Sequence, residues 1–225
     1  MNLKEELNQV SNLFISGLEL EADVESVDVG NWGWENYVYK SPIFRHAHVE
    51  KFFTDNLDVL HVTVFPRKFI KVPIFGFDVV AGGKDRRILS AFMDMTPTTP
   101  ATTYMIEDKV LANFEHHREL PEWANMFSDT FLAVRPNEDE YEILFEEAFY
   151  HFYLTLNLLE YDKFRTTDEL EILDIIGSQN YYCEQQWKNE RTMGALKAKL
   201  GKEKSTEFMT KVLFPKIETD IVSDT

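Results

Sequence analysis

Residues 44–95, FRHAHVEKFFTDNLDVLHVTVFPRKFIKVPIFGFDVVAGGKDRRILSAFMDM, decide the fold of this chain. Short runs of aromatic and β-branched residues alternate there with Pro, Gly, Asn and Asp, which is the pattern of consecutive β-strands. The connections are too short for crossover helices, so the runs predict an antiparallel meander. The segments WENYVYKSP (34–42) and FLAVRP (131–136) predict one further strand before this block and one after it.

Helical periodicity flanks the strand block on both sides. Residues 3–18 carry apolar side chains at helical spacing and predict an amphipathic helix. After residue 101, long helices are predicted over 137–161 and 166–190, and shorter ones over 194–201 and 202–214, divided at Gly201. A strand block followed by a helix block predicts an α/β (α+β) fold in which helices cover one antiparallel sheet.

Composition limits the classes of protein to consider. A chain of 225 residues with 44% hydrophobic residues is expected to form one folded domain, 1–225. The formal net charge of −16 argues against a nucleic-acid partner. The single cysteine, Cys183, excludes an internal disulfide, a cysteine-based zinc site and an iron–sulfur cluster held by this chain. We expect no signal peptide and no membrane span, and therefore a cytoplasmic protein.

Ionisable residues interrupt the apolar strands. His46, His48 and Glu50 alternate along one strand and therefore share a face. His61 and Asp78 each lie inside an otherwise apolar run. If one hairpin is centred between Phe69 and Ile70 and the other turns around Asp55 and Asn56, cross-strand pairing sets Glu50 opposite His61 and His61 opposite Asp78. The sequence thus predicts a row of three titratable side chains across three neighbouring strands.

Such a row favours a functional site over a structural one. A lone buried histidine is most often structural, but several ionisable groups together in an apolar setting carry a desolvation cost and perturbed pKa values. Two chemistries remain open at this point. One is a metal site with two histidines and one carboxylate. The other is proton delivery from a carboxyl that keeps its proton near neutral pH, with a neighbouring imidazole sharing it.

The segment YKSPIFRHAHVEKFFTDNLDVLHVTVFPRKFIKVPIFGFDVVAGG (39–83) resembles the ferredoxin-dependent bilin reductases. The resemblance continues in HHRELPEWANMFSD, FLAVRP, YYCEQQWKNERT and FMTKVLF, so it spans nearly the whole chain. It implies a three-layer α/β/α sandwich with a central antiparallel sheet, and biliverdin IXα bound between that sheet and the C-terminal helices. It also implies no metal and no bound cofactor, since reduced 2Fe-2S ferredoxin supplies single electrons through bilin radicals.

The resemblance assigns catalytic roles to the predicted row. Asp78 matches the central aspartate that protonates the bilin, and His61 matches the histidine that partners it. Glu50 matches the glutamate that assists reduction of the D-ring vinyl group in the phycocyanobilin-forming branch. His48 matches a nearby family histidine.

The resemblance also implies a substrate-binding set on the other side of the pocket. Arg118 and Arg191 match basic residues that pair with the bilin propionates, and Gln186 and Asn189 fall on the helical wall. Glu190 stands where the family has a second catalytic aspartate, which serves A-ring reduction.

The expected product follows from these matches but is not unique. Glu50 favours phycocyanobilin. Glu190 leaves open phycoerythrobilin, made through a 15,16-dihydro intermediate as in a phage-associated branch of the family. A non-catalytic bilin carrier is a remoter alternative. The family implies a monomer in the cytoplasm of a cyanobacterium or a phage-infected host cell.

An acidic chain must present local positive charge to an acidic ferredoxin. Two surfaces are candidates for this contact. The first comprises the turns that carry Arg67, Lys68, Lys71, Lys84, Arg86 and Arg87, and the second comprises the C-terminal lysines Lys197, Lys199, Lys202 and Lys204.

Overall fold

The computed structural model describes residues 2–100, 106–119 and 122–218. The domain expected over 1–225 thus extends past the described residues at both ends. Within the described residues, seven strands form one sheet in chain order, and every neighbouring pair is antiparallel. Their bounds are β1 Glu25–Ser26, β2 Glu35–Lys40, β3 Phe44–Phe53, β4 Leu57–Pro66, β5 Ile74–Gly82, β6 Arg87–Thr96 and β7 Leu132–Val134. The predicted meander is confirmed, and only the two-residue β1 had no sequence signal.

The register of the central strands is also confirmed. Glu50 on β3 lies opposite His61 on β4, and His61 lies opposite Asp78 on β5. One irregularity in pairing falls between Phe44 and His46, at the start of β3. Because it precedes the row, it does not shift the pairing of Glu50 with His61.

The helices overlap the predicted spans, except for the four-residue α2, which was not predicted. They are α1 Leu3–Glu19, α2 Asp108–Leu111, α3 Tyr141–Glu160, α4 Glu169–Gln186, α5 Glu190–Leu200 and α6 Lys202–Glu207, and a π-helical turn follows over Phe208–Leu213. The side chain of Asp168 caps α4, so this helix begins inside the predicted span of 166–190. In α5 the Asn189 cap starts the helix before Gly194, where the periodicity had placed its beginning. Among the described residues, no helix is long and apolar enough to cross a membrane.

Helices cover both faces of the sheet. On one face α1 and α3 pack against the strands through a core that includes Phe14, Phe75 and Phe152. On the other face α4, α5, α6 and the π-helical turn bury a second core around Phe65 and Tyr182. The three-layer α/β/α sandwich with a central antiparallel sheet is therefore present as predicted. Because side chains alternate along a strand, the titratable row faces the C-terminal helices rather than α1 and α3.

Candidate active site

The titratable row spans three strands and continues on both sides. On β2, Asn36 lies opposite Glu50, and on β6, Phe92 lies opposite Asp78. Glu50 is buried, whereas His61 and Asp78 are only partly buried. A ligand between the sheet and the C-terminal helices can therefore reach His61 and Asp78 most directly.

Glu50 is held by one strong contact and by burial. The indole Nε1 of Trp34 donates a hydrogen bond of 2.7 Å to Glu50 Oε1. Burial raises the pKa of Glu50 to about 8, against the lowering effect of the Trp34 hydrogen bond and with a further rise from Asp78. Glu50 therefore carries its proton at neutral pH.

Asp78 and His61 are tuned in opposite directions by the same apolar surroundings. Burial raises the pKa of Asp78 from 3.8 to about 7, and it lowers the pKa of His61 from 6.5 to about 4. Near neutral pH the Asp78 carboxyl can thus give up and regain a proton, while the adjacent imidazole is neutral. A neutral imidazole can accept a hydrogen bond on one nitrogen and donate on the other. This pair suits general acid chemistry.

Three histidines stand next to one another on this face. The His48 ring lies 6.2 Å from that of His46 and 5.8 Å from that of His61. His48 Nε2 is 3.0 Å from Asn36 Oδ1, which holds the ring in place. Burial lowers the pKa of His46 to about 3 and that of His48 well below 6.5, so both rings are neutral.

Several buried polar atoms on this face have no hydrogen-bond partner among the described residues. They are His46 Nε2, His48 Nδ1, His61 Nδ1 and Thr63 Oγ1. Burying such an atom without a hydrogen bond costs about 1–3 kcal/mol, so its retention needs an explanation such as ligand binding. The cluster can hydrogen-bond the polar edge of a ligand that contacts the row.

The C-terminal segment closes one side of the site. The Phe214 ring meets the His61 ring edge-on at 5.5 Å, directly after the π-helical turn. The Phe214 carbonyl accepts a hydrogen bond of 3.2 Å from Trp187 Nε1, which fixes the segment to the end of α4. Single π-helical turns are frequent at functional sites, where they redirect a side chain.

Gln186 lies on the helical wall, as expected. Its amide Nε2 donates a hydrogen bond of 3.0 Å to the Tyr182 hydroxyl, and both side chains are buried. The Tyr182 oxygen would lie 3.4 Å from a Cβ added at Gly76, so the absence of a side chain at Gly76 lets α4 approach the sheet. Gly76 is on β5, two residues before Asp78.

The two residues that follow α4 are differently placed. The Asn189 side chain accepts the Thr192 N–H at 3.2 Å and so caps α5. Glu190 is the first residue of α5, and its side chain is exposed. No hydrogen bond or ion pair within the described part of the chain joins Glu190 to the Asp78 row.

Arg118 lies at the far end of the row. The Arg118 guanidinium lies 5.7 Å from the centre of the Phe92 ring, and Phe92 is opposite Asp78. Burial lowers the pKa of Arg118, and the positive charges of Arg191 and Arg135 lower it further. Arg118 therefore lies beside the row, within electrostatic range of Arg191.

The predicted basic turns are partly neutralised. Lys71 forms a 3.0 Å ion pair with Glu171, and Arg86 pairs with the buried Asp58. Lys68 is exposed. The turn between β4 and β5 therefore presents less positive charge to an acidic partner than its sequence suggests.

The metal alternative finds no ligand set. Within 2–100, 106–119 and 122–218, no group of three His, Cys, Asp or Glu side chains is arranged to hold a metal ion. The three histidine rings on this face lie side by side, with neighbouring ring centres 6.2 Å and 5.8 Å apart.

Sequence reasoning missed three polar residues of this face: Trp34, Asn36 and Asp94. Asp94 is opposite Gly76, accepts hydrogen bonds from Ser128 and Thr96, and has a pKa raised to about 6 by burial. Extending the cross-strand pairing by one strand in each direction would have found Asn36 and Asp94. Trp34 precedes β2, and no pattern pointed to its contact with Glu50.

Two solved structures with the same fold are a PcyX protein and a phytochromobilin synthase. A PcyX protein superposes with a TM-score of 0.61 at 20% identity, covering 95% of this chain and 98% of that one. Phytochromobilin synthase from tomato, solved in complex with biliverdin, superposes with a TM-score of 0.64 at 16% identity, covering 87% and 71%. At these identities the likeness shows the fold, which is that of a bilin-reductase sandwich.

Sequence comparison adds the family. Phycocyanobilin:ferredoxin oxidoreductase from Synechococcus sp. is 35% identical over 80% of this chain and 75% of its own length. The same-named protein from Trichodesmium erythraeum is 30% identical over the same shares. The family described as ferredoxin-dependent bilin reductase matches residues 6–215. This chain belongs to that family, and it is an oxidoreductase.

Proposed function

We propose that this protein reduces biliverdin IXα by four electrons, taken one at a time from reduced ferredoxin, and that the product is phycocyanobilin. The observation that carries the proposal is the pairing of Asp78 with His61 on the face that the C-terminal helices cover, with the pKa of Asp78 raised to about 7. The chain supplies the acid groups and binds no cofactor, because the electrons come from the iron–sulfur cluster of the partner protein.

The proton balance explains why more than one acid is needed. Reducing two double bonds consumes four electrons and four protons, and each single-electron step forms a bilin radical. We propose that Asp78 protonates the bilin, with His61 as its hydrogen-bonding partner and His48 behind it. Glu50, with a pKa of about 8, retains a second proton at neutral pH for the D-ring vinyl group.

Substrate binding is assigned to cationic and amide side chains. Arg118 and Arg191 bind the propionates, since a guanidinium offers a forked donor to a carboxylate. Gln186 and Asn189 line the helical side.

Phycoerythrobilin is the alternative product, formed through a 15,16-dihydro intermediate. Glu190 supports it, because this exposed residue at the start of α5 stands where the family has an aspartate for A-ring reduction. A non-catalytic bilin carrier is the remoter alternative.

An anaerobic assay with biliverdin and reduced ferredoxin tests these proposals. We expect the absorption to move to shorter wavelength, followed by elution of the pigment with phycocyanobilin. Elution with phycoerythrobilin instead would support the alternative product. A stable biliverdin complex without any spectral change would identify a carrier.

We further propose a cytoplasmic monomer in which residues 1–225 act as one domain, with no nucleic-acid partner. The acidic net charge of −16 supports the last point. Sedimentation of the purified protein with and without biliverdin measures the oligomeric state directly.

A further inference from the structure

The sheet is extended past β7 by a short segment that contains Arg118. His117 forms an antiparallel bridge with Val134, and the Arg118 N–H donates a hydrogen bond of 2.8 Å to the Ala133 carbonyl. The Arg135 N–H in turn donates to the His116 carbonyl at 2.9 Å. Arg118 and Arg135 are therefore held on two adjacent chain segments at this edge of the sheet.

The pairing register determines which face these two arginines occupy. Asp78 lies opposite Phe92, and Phe92 lies opposite Ala133. Arg118 is level with Ala133, so its side chain shares their face, and Arg135 shares it because it follows Ala133 by two residues. Both guanidinium groups thus belong to the face that carries the titratable row.

The two guanidinium groups converge on one atom. Arg118 Nη1 and Arg135 Nε both donate to the Leu89 carbonyl oxygen, at 3.2 Å and 3.3 Å. Two positive charges held this close repel each other, and a shared neutral carbonyl does not cancel that repulsion. Neither guanidinium forms an ion pair with a carboxylate in the described part of the chain, although the protein as a whole carries a charge of −16.

A recess opens beside this pair of arginines. It has a volume of about 680 Å³, and its lining includes Arg87, His116 and His117 as well as Arg118 and Arg135. Two carboxylates, Glu119 and Glu138, also line it. The recess therefore gives a small oxyanion access to both guanidinium groups, with more cationic than acidic side chains around it.

We propose that Arg135 joins Arg118 in binding one carboxylate of the bilin, so that Arg135 is a further substrate-binding residue. The inference rests on the proposed function. Distance supports the assignment, since one cross-strand step from Asp78 to Phe92 and one ring-to-guanidinium step span roughly 10 Å in total. A linear tetrapyrrole spans a similar distance between an end ring, where reduction occurs, and the propionate of an inner ring. Two forked donors bind a single carboxylate more strongly than one.

The test compares two ligands on matched variants, in the dark and without ferredoxin. The ligands are biliverdin IXα and its dimethyl ester, which lacks both carboxylates, and binding is followed by absorbance titration. Arg135→Gln should weaken biliverdin binding about tenfold, because it removes a charged hydrogen-bond donor. The same substitution should change the binding of the dimethyl ester less than about twofold. Arg135→Lys, which keeps the charge but loses the fork, should weaken biliverdin binding about threefold.

Arg87→Gln is the matched control, because it removes an equal charge from the same recess without touching the Leu89 carbonyl. It should change biliverdin affinity less than about threefold. Three outcomes would overturn the proposal while leaving the proposed reaction intact. Arg87→Gln and Arg135→Gln could lose the same biliverdin affinity, or Arg135→Gln could lose the same affinity for biliverdin and for its dimethyl ester. Arg135→Gln could also lose no affinity at all. If the wild-type protein bound no biliverdin, the proposed function itself would fail.

Discussion

Asp78 and His61 occupy directly opposed positions on β5 and β4, and both are less buried than the histidine and glutamate that extend their row. The apolar layer around them raises the pKa of the acid and lowers that of the base. The order of their proton affinities is therefore the reverse of that of the free side chains. The Asp78 carboxyl holds a proton more tightly than the His61 imidazole, which stays neutral near pH 7. Four predictions follow from the packing and electrostatics of this sandwich.

Replacing Asp78 by Asn should leave biliverdin binding within about threefold and slow ferredoxin-driven reduction about 100-fold or more. The amide keeps the shape of the carboxyl but has no acidic proton to transfer. Electron delivery without protonation should leave a bilin radical, detectable by electron paramagnetic resonance. Asp85→Asn, in the exposed turn between β5 and β6, is the control and should turn over normally. Wild-type turnover in Asp78→Asn would contradict the assigned role.

The same substitution should change how stability depends on pH. Asp78 has a folded-state pKa of about 7 against 3.8 unfolded, so the wild-type protein loses stability from this group as pH rises from about 4 to 7. Asp78→Asn lacks this loss. Its free energy of unfolding should exceed that of the wild type by roughly 4 kcal/mol at pH 8, and the difference should vanish towards pH 4.

Urea unfolding of the ligand-free proteins at several pH values measures that difference. The buried histidines have lowered pKa values, so they cost both proteins stability as pH falls below 6.5, and their effect cancels in the comparison. If the stability difference between Asp78→Asn and the wild type decreased as pH rose, the raised pKa of Asp78 would be contradicted.

Glu50→Gln should slow reduction of the D-ring vinyl group and leave the other reduction unchanged. Glutamine retains an acceptor for Trp34 Nε1 and has nearly the same volume, so the fold and biliverdin affinity should persist. Reduction of the D-ring vinyl group should slow about tenfold or more, since a protonated acid has been replaced by an amide. Chromatography of the products should show pigments with an intact D-ring vinyl group. An unchanged product profile would remove Glu50 from the proton-delivery scheme.

Substitution of Gly17 by Ala tests how closely α1 packs against α3. A Cβ at this position would lie 2.7 Å from Phe152 Cε1, in the core on the face opposite the row. Gly17→Ala should therefore destabilise the protein by about 1–3 kcal/mol despite the better helix propensity of alanine. Gly177→Ala, in α4 with open space around the added methyl group, should instead stabilise it by about 0.5–1 kcal/mol. Thermal unfolding of the two variants separates the effects, and equal shifts would contradict the close approach.

Much of the sheet could be predicted because its information is local. Three residues join β3 to β4 and seven join β4 to β5. These short connections and side-chain alternation together set the pairing of Glu50, His61 and Asp78. The longer helices were predictable from periodicity. Their starts shifted where a polar cap such as Asn189 overrode it, and where a 3-10 turn over Glu138–Glu140 precedes α3. The two-residue strand β1 was not predictable from the sequence, because a strand that short shows no alternation of apolar and polar side chains.

The environment of the row required the folded chain. Trp34 reaches Glu50 from the segment before β2, and Phe214 reaches His61 from the other end of the chain. No local pattern encodes such contacts, since they depend on how the C-terminal helices seat on the sheet. The convergence of Arg118 and Arg135 likewise depends on a bridge between segments distant from each other in the chain.

By itself, the sequence determined the order of the strands, the face on which the acids and histidines lie, and the family resemblance, because neighbouring strands and short turns leave few alternatives. Only the tertiary structure decided which of these groups are buried or reachable, how far their pKa values move, and which cations remain without a carboxylate partner. Those properties depend on the dielectric surroundings and on the partners that distant segments bring together.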